Sequence, residues 1–197
     1  RPNVTLVDTL GKGVERMTAT GAVVNGVEHP LDCIIFATGF EVGTAYTRRS
    51  EFDVVGRDGV KLSDYWGKGM RTFHGFYSHG FPNCFHMGLT QTGLAPNLTY
   101  MLNGQAQHIA YIVKEVLGRG AKAVEPTAEA EAGWLDIVNQ RGFMSNYQAE
   151  CTPGYYNGEG SEGQGFLDGQ YPDGPVKFYD MLGEWRAKGA FEGLIVR

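Results

Sequence analysis

Short apolar runs separated by turn residues characterise the first 42 residues of the chain. The runs lie at positions 4–7, 22–24 and 33–37, and Asn25 and Gly26 stand between the later two. Asn-Gly favours a two-residue hairpin turn because both residues tolerate a positive φ. The pattern predicts a small antiparallel β-meander that leads into the run at 33–37.

The run at 33–37 is apolar at every position instead of alternating with polar residues. A strand of this kind is typical of an α/β sheet that is covered on both faces. We therefore predict a buried strand here, with Thr38 and Gly39 at its carboxyl end. Ligands of α/β folds bind at such ends, and a glycine lets them approach the backbone closely.

Three later stretches have helical features. Asn97 is a good N-cap for a helix that ends near Gly118 and Gly120. The apolar residues of this helix keep helical spacing: Met101, Leu102, Ile109, Ile112, Val113, Val116 and Leu117. A second helix is predicted from Thr127 through Val138. The third is predicted over residues 176–188, with Phe178, Leu182 and Trp185 on one face.

Glycine is unusually frequent, at 29 of 197 residues. Residues 142–175 are dense in glycine and proline and show no periodicity, which predicts a long loop that closes over a ligand site. The G-x-G-x-x-G at 158–163 lies inside this loop. Because it has neither a preceding strand nor a following helix, we interpret it as loop and not as a dinucleotide fingerprint.

Charge and composition limit the partners. The net charge is −5, and the longest basic cluster is the pair Arg48 and Arg49, which argues against nucleic acid or an anionic membrane as a partner. No apolar run has the 18 or so residues of a membrane span. The three cysteines are far apart, which disfavours a disulfide framework or a zinc site. We expect a soluble, cytoplasmic protein with a small-molecule ligand and no metal.

Residues 32–40 read D-C-I-I-F-A-T-G-F. This stretch resembles the D-x-h-h-x-A-T-G-F motif of the flavin-containing monooxygenases and the related Baeyer-Villiger monooxygenases, where h is an apolar residue. In that family the A-T-G segment links two dinucleotide-binding domains beside the flavin. The resemblance implies that Ala37, Thr38 and Gly39 contribute to cofactor binding.

A second stretch makes the resemblance more specific. Residues 80–88 read G-F-P-N-C-F-H-M-G, similar to the G-F-P-N-h-F segment that leads into the flavin-proximal loop of the family. Flanking residues also match in order and spacing: Leu62, Trp66, Arg71, Thr72 and Gly75 before it, and Trp134, Phe178, Leu182 and Trp185 after it. Residues 88–93, G-L-T-Q-T-G, depart from the G-P-N that members often carry. The resemblance covers nearly the whole chain.

The loop at 88–96 and the start of the helix after Asn97 form a candidate anion or carbonyl site. Free amides and the helix dipole favour negative charge there, such as a reduced flavin carries on its pyrimidine ring. Taken alone, Asn97 is better interpreted as the cap of a packing helix; with the resemblance, we prefer a flavin role. The candidate cofactor-binding residues in this loop are Gly88, Thr90, Gln91, Thr92 and Asn97.

The resemblance implies an α/β fold: the C-terminal portion of a flavoprotein with two dinucleotide-binding domains. Residues 1–45 would form the meander and A-T-G strand, 46–125 would complete the FAD domain with the long helix, and 126–197 would form a C-terminal region of helices and loop. The glycine fingerprints for FAD and NADPH are absent from the chain, as is a complete catalytic site. We therefore expect an N-terminal portion of the same protein to precede it.

The implied activity is that of an FAD- and NADPH-dependent monooxygenase. It would insert one oxygen atom from O2 into a ketone to give an ester or lactone, as Baeyer-Villiger enzymes do. Two alternatives remain open at this point: N- or S-oxygenation by a flavin-containing monooxygenase, and a non-catalytic module for protein contacts.

Overall fold

The computed structural model describes residues 1–37, 46–139 and 169–197. The chain divides into two compact units, Arg1–Phe40 and Glu41–Arg197. Thr38, Gly39 and most of the loop predicted over 142–175 lie outside the described residues. Among the helices that are described, none has the length and apolar character to cross a lipid bilayer.

The smaller unit contains a three-stranded antiparallel meander. Its strands β1 (Arg16–Met17), β2 (Gly21–Val24) and β3 (Val27–Pro30) lie in the order β1-β2-β3. Asn25 and Gly26 make the turn between β2 and β3 with φ of 50° and 75°, and they place Val24 opposite Val27. The predicted meander and its Asn-Gly turn are confirmed, although the run at 4–7 is not a strand.

The segment 33–37 differs from the prediction. It is not a strand, and Ile35 and Phe36 are 85% and 73% exposed. An inner strand of a sheet needs a hydrogen-bonded neighbour on each side. The described residues of this chain supply no such neighbour for 33–37, so its apolar side chains remain uncovered.

The larger unit is mainly helical. Its helices are α1 (Tyr46–Ser50), α2 (Leu62–Tyr65), α3 (Leu98–Gly118), α4 (Ala128–Val138) and α5 (Gly174–Lys188). A two-stranded antiparallel sheet joins β4 (Val124–Pro126) to β5 (Leu194–Val196). A 3-10 turn at Arg57–Gly59 precedes α2.

The predicted helix starts are confirmed by their caps. The side chain of Asn97 accepts a hydrogen bond from the amide of Tyr100 at 3.0 Å, and that of Thr127 accepts one from Ala130 at 3.1 Å. Each cap satisfies an amide that the first helical turn cannot.

Aromatic side chains fill the core of this unit. Phe178 and Leu182 of α5 are fully buried against Trp134 of α4 and the aromatic residues of the segment between α2 and α3. A second cluster joins α3, β4, α5 and the residue Phe191 that follows α5: Ile112, Val116, Val124, Trp185 and Phe191. The predicted inward face of the last helix is confirmed.

The buried stripe of α3 consists of Met101, Gln105, His108, Ile112 and Val116. Two of these five residues are polar, whereas the apolar residues Val113 and Leu117 are 41% and 68% exposed. The buried face of α3 is therefore not identified by the pattern of apolar residues alone.

Candidate functional site

The candidate loop, residues 88–97, connects the G-F-P-N segment to the first turn of α3. Positive electrostatic potential is expected at this end of α3, because the first amides of a helix have no intrahelical acceptor. The helix has 21 residues, and no acidic residue lies in its first turn.

Gln91 uses its side chain for internal contacts. Its φ is 59°, and its side chain is almost completely buried. Thr72 donates a hydrogen bond to its Oε1, and its Nε2 donates to the carbonyl of Met70. Trp134 Nε1 donates to the backbone carbonyl of Gln91 at 3.2 Å. The side chain of Gln91 therefore anchors the loop and is not available to a cofactor.

Thr92 is also directed into the protein. It is completely buried, and its hydroxyl lies 3.3 Å from the carbonyl of Leu89. Its methyl group packs over Gly75, where an added Cβ would lie 2.3 Å from it. The amide of Tyr171 donates to the Thr92 carbonyl at 3.1 Å. Only glycine at position 75 leaves room for this contact.

Gly88 and Thr90 offer mainly backbone to a ligand. Gly88 has open space where a Cβ would be, and Thr90 is half-buried. Within the described residues, the amides of Leu89, Thr90 and Gln91 donate to no acceptor. The arrangement can therefore bind a polar or anionic group through main-chain N–H donors.

The G-F-P-N residues belong to a segment, residues 79–83, that precedes this loop and that we call the wall. Gly80 has φ of 84°, and Phe81 is buried. Asn83 has φ of 59° and pairs with β4: its amide donates to the carbonyl of Val124, and its Oδ1 accepts from the Val124 amide at 3.0 Å. Gly80, Phe81 and Asn83 therefore have structural roles: they shape the backbone of this segment and attach it to β4.

Two buried carboxylates fix the same wall. Glu131 accepts hydrogen bonds from Tyr65 Oη at 2.6 Å, Arg71 Nε at 3.1 Å and the amide of His79 at 2.8 Å. Burial and the carboxylate raise the pKa of Tyr65 to about 12.

Glu125 is the second buried carboxylate, and it binds the backbone amide of the residue after His79. It accepts from the amide of Gly80 at 3.1 Å and forms ion pairs with Arg57 and Arg197. Sequence reasoning missed both carboxylates. The signal available for Glu131 was an acidic residue three positions before the buried Trp134, on the inner face of α4.

A group of neutral histidines lies beside the aromatic core. Burial and the nearby Arg186 guanidinium lower the pKa of His108 to about 3. Because Arg186 can only donate, its contact of 3.2 Å with His108 Nδ1 assigns the proton of this ring to Nε2, which faces Tyr77 Oη at 3.4 Å. Burial lowers the pKa of His74 well below 6.5 and that of His86 to about 4.

Ala37 is the last described residue of the smaller unit and is exposed. Thr38 and Gly39 lie beyond it, outside the described residues. Gly88, Thr90, Gln91, Thr92 and Asn97 do lie together in one loop. Of these five, Gln91, Thr92 and Asn97 have side chains engaged within the protein.

Comparison with models of known protein families gives no match. Curated relatives do match. The chain is 47% identical to pentalenolactone D synthase of Streptomyces arenae, covering 100% of the chain and 34% of the relative. It is 42% identical to Baeyer-Villiger monooxygenase 4 of Dietzia sp., covering 99% and 32%. The chain thus spans about a third of the length of these relatives.

Solved structures agree. Polycyclic ketone monooxygenase from the thermophilic fungus Thermothelomyces thermophila matches the entire chain with a TM-score of 0.86 and 34% identity, over 33% of its own length. Cyclohexanone monooxygenase from Rhodococcus sp. Phi1, bound to NADP+, matches with a TM-score of 0.80 and 27% identity, over 36% of its length. Over its full length, the chain is therefore homologous to the C-terminal portion of the Baeyer-Villiger monooxygenases.

Proposed function

We propose that this chain is part of an FAD- and NADPH-dependent monooxygenase that inserts one oxygen atom from O2 into a ketone to give an ester or lactone. The observation that carries the proposal is the match of the whole chain, at 34% identity and a TM-score of 0.86, to a polycyclic ketone monooxygenase. An N-terminal portion of the same protein would supply the remaining two thirds of such an enzyme.

The names of the relatives favour a ketone over an amine or sulfide as substrate. Several are Baeyer-Villiger monooxygenases, two are described as FAD-binding monooxygenases, and one structural neighbour is a steroid monooxygenase bound to NADP. We extend the cofactors FAD and NADPH to this chain on that basis. We also propose a cytoplasmic location, since the two cysteines in the described part of the chain, Cys33 and Cys84, are free thiols.

The candidate loop has the chemistry to meet a flavin. Outward amides beside Gly88 and the start of α3 would hold the polar edge of the ring, and open space at Gly88 would admit it. Thr90 would contribute through its backbone, as would Gln91, Thr92 and Asn97. Ala37, Thr38 and Gly39 would contact the cofactor from the A-T-G segment. When bound, FAD reduced by NADPH supplies the activation of O2.

The residues of this chain then have three tasks. The loop at 88–97 binds and orients the flavin, Gln91 and Thr92 keep that loop rigid, and Glu131 and Glu125 hold the wall. We propose the same three segments as the sequence suggests: 1–45 with the A-T-G segment, 46–125 completing the FAD domain, and 126–197 as the C-terminal region.

The activity can be tested in the full-length enzyme with cyclohexanone and thioanisole as probes. We expect NADPH-dependent formation of a lactone that carries one atom from isotopically labelled O2, with slower sulfide oxidation. Faster oxidation of the sulfide, with no lactone from cyclohexanone or a steroid ketone, would favour the S-oxygenating alternative instead.

The A-T-G assignment has its own test. Gly39→Val in the full-length enzyme should reduce the fraction of protein that carries FAD, because a β-branched side chain would intrude where backbone approaches cofactor. The flavin content is measured by absorbance after desalting. Unchanged flavin content and activity would show that this segment does not contact the cofactor.

A further inference from the structure

Gln105 is a polar residue on the buried stripe of α3. It lies one turn after Met101 and is completely buried. A buried side-chain amide must find hydrogen-bond partners, because leaving it unpaired costs free energy. Its partners therefore reveal what this position of the helix does.

Both partners of the Gln105 amide belong to Gly88. The Gly88 amide donates to Gln105 Oε1 at 3.1 Å, and Gln105 Nε2 donates to the Gly88 carbonyl at 2.7 Å. These two groups belong to the peptide planes on either side of the Gly88 Cα. One side chain thus fixes both backbone dihedrals of a glycine that would otherwise be free to rotate.

The second bond determines the direction of the next amide. No cis peptide is present in the described residues, and in a trans peptide the N–H points opposite to the carbonyl of the same plane. Because the Gly88 carbonyl points towards α3, the N–H of Leu89 points away from it. Within the described loop this amide has no acceptor, and the space beside Gly88 is open.

Tyr179 of α5 packs against α3 next to Gln105. Its hydroxyl donates to the carbonyl of Met101 at 3.0 Å. Its ring packs on Gly104, where an added Cβ would lie 2.5 Å from Cε1. The tyrosine thereby covers the helix at the residue before Gln105.

We infer that Gln105 is a positioning residue for the flavin: it clamps Gly88 so that the Leu89 amide faces outwards as a hydrogen-bond donor to the FAD ring. The inference rests on the proposed function, since it assigns the ligand of that amide. A donor at this place stabilises negative charge on the reduced ring more than it stabilises the neutral oxidised ring. Gln105 therefore sets both the affinity for FAD and its reduction potential.

The test uses the full-length enzyme with FAD. Gln105→Met keeps the length of the side chain but removes both hydrogen bonds, and Gln107→Met changes an exposed glutamine two residues further along the same helix. We expect Q105M to weaken FAD binding about tenfold, the effect of losing one well-placed donor. Its FAD midpoint potential should become more negative, whereas Q107M should match the wild type in both measurements.

A second variant covers the case in which Q105M does not fold. Gln105→Leu also makes neither hydrogen bond and is a good helix former, so it should shift the potential in the same direction. A purely structural role would lower the unfolding temperature and leave the potential of bound FAD unchanged. Wild-type potential and FAD affinity in both folded variants would overturn the inference; a wild-type enzyme that binds no FAD would instead overturn the proposed function.

Discussion

Glu131 joins α4 to three residues of a segment that lies 52 to 66 residues earlier in the sequence. Its fully buried carboxylate accepts hydrogen bonds from Tyr65, Arg71 and the amide of His79. A half-buried donor that loses its acceptor is left desolvated without compensation, which costs free energy. Single side chains of this kind therefore hold the wall of the candidate site in place.

We expect Glu131→Leu to lower the free energy of unfolding by about 2 kcal/mol, because the half-buried Tyr65 hydroxyl and His79 amide lose their acceptor and the exposed Arg71 loses its ion-pair partner. Urea unfolding measures the change. Glu129→Leu alters an exposed residue in the first turn of the same helix and should cost less than about 1 kcal/mol. Equal stability of the two variants would contradict the role given to Glu131.

The buried histidines predict a loss of stability in acid. Burial lowers the folded-state pKa of His86 to about 4, and that of His108, also near Arg186, to about 3. Below pH 6.5 the unfolded chain therefore binds more protons than the folded chain. The stability contributed by these neutral rings is complete above pH 6.5 and is lost as the pH falls towards 4 and then 3.

Each such ring can change the free energy of unfolding by about 1.4 kcal/mol per pH unit in this window. Urea unfolding between pH 7 and pH 4.5 should show the decline, and His86→Phe, which removes one titrating ring while keeping an aromatic contact with Trp66, should make it shallower. A variant with the wild-type slope would show that His86 does not titrate in this way.

At the level of elements, the packing of α5 on α3 depends on a missing side chain. Tyr179 lies directly on Gly104, with room for no Cβ at that position. Gly133 of α4, in contrast, has no atom within 4 Å of where a Cβ would be. The same substitution at these two helical glycines therefore tests the contact with Tyr179, with Gly133 as the matched control.

Glycine to alanine should have opposite effects at these two positions. Gly133→Ala should raise the free energy of unfolding by up to about 1 kcal/mol, because alanine is the better helix former. Gly104→Ala should lower it by about 1–3 kcal/mol, since the clash with Tyr179 outweighs the same gain. Thermal and urea unfolding measure both variants, and a stabilised G104A would mean that α5 does not pack as described.

The elements also show what the sequence could predict. The starts of α3 and α4 follow from Asn97 and Thr127, whose capping contacts reach only three residues along the chain. The clamp of Gln105 on Gly88 reaches 17 residues and the contacts of Glu131 reach 52 to 66, so no local pattern contains them. The available signs were polar residues at positions that helical spacing places on a buried face, such as Gln105 on α3 and Glu131 on α4.

The misjudged strand at 33–37 has the same physical origin. Its apolar composition is correct for an inner strand, but pairing depends on neighbours that composition does not supply. The candidate loop was located from the sequence because a motif and a helix cap flank it. The structural roles of Gln91 and Thr92 could not be predicted, because their partners Met70, Thr72 and Gly75 become neighbours only in the folded unit.

On the scale of the whole molecule, the chain is about a third of the length of its relatives and folds into two units. The candidate loop of the larger unit offers amides and a helix terminus, which would together form only one side of the proposed cofactor site. We interpret no stretch of the sequence as a phosphate-binding glycine fingerprint. We therefore expect full cofactor binding only in a protein with the length of the relatives.

The isolated chain should bind FAD weakly or not at all. Nothing in its sequence cradles the pyrophosphate, which provides much of the charge for recognition of a dinucleotide. Titration calorimetry of the 197-residue chain, with the full-length enzyme as the positive control, measures the difference. A purified chain that stays yellow, with stoichiometric FAD after desalting, would contradict this expectation.

Asn83 has a further consequence for the two-stranded sheet. One edge of β4 pairs with β5, and the other edge is met by the backbone and side-chain amide of Asn83, whose Nδ2 also donates to the Lys122 carbonyl at 3.0 Å. An unpaired strand edge is a template on which another chain can add a strand and aggregate. Asn83 forms the hydrogen bonds with Val124 that a neighbouring strand would form, and it thereby protects that edge against self-association.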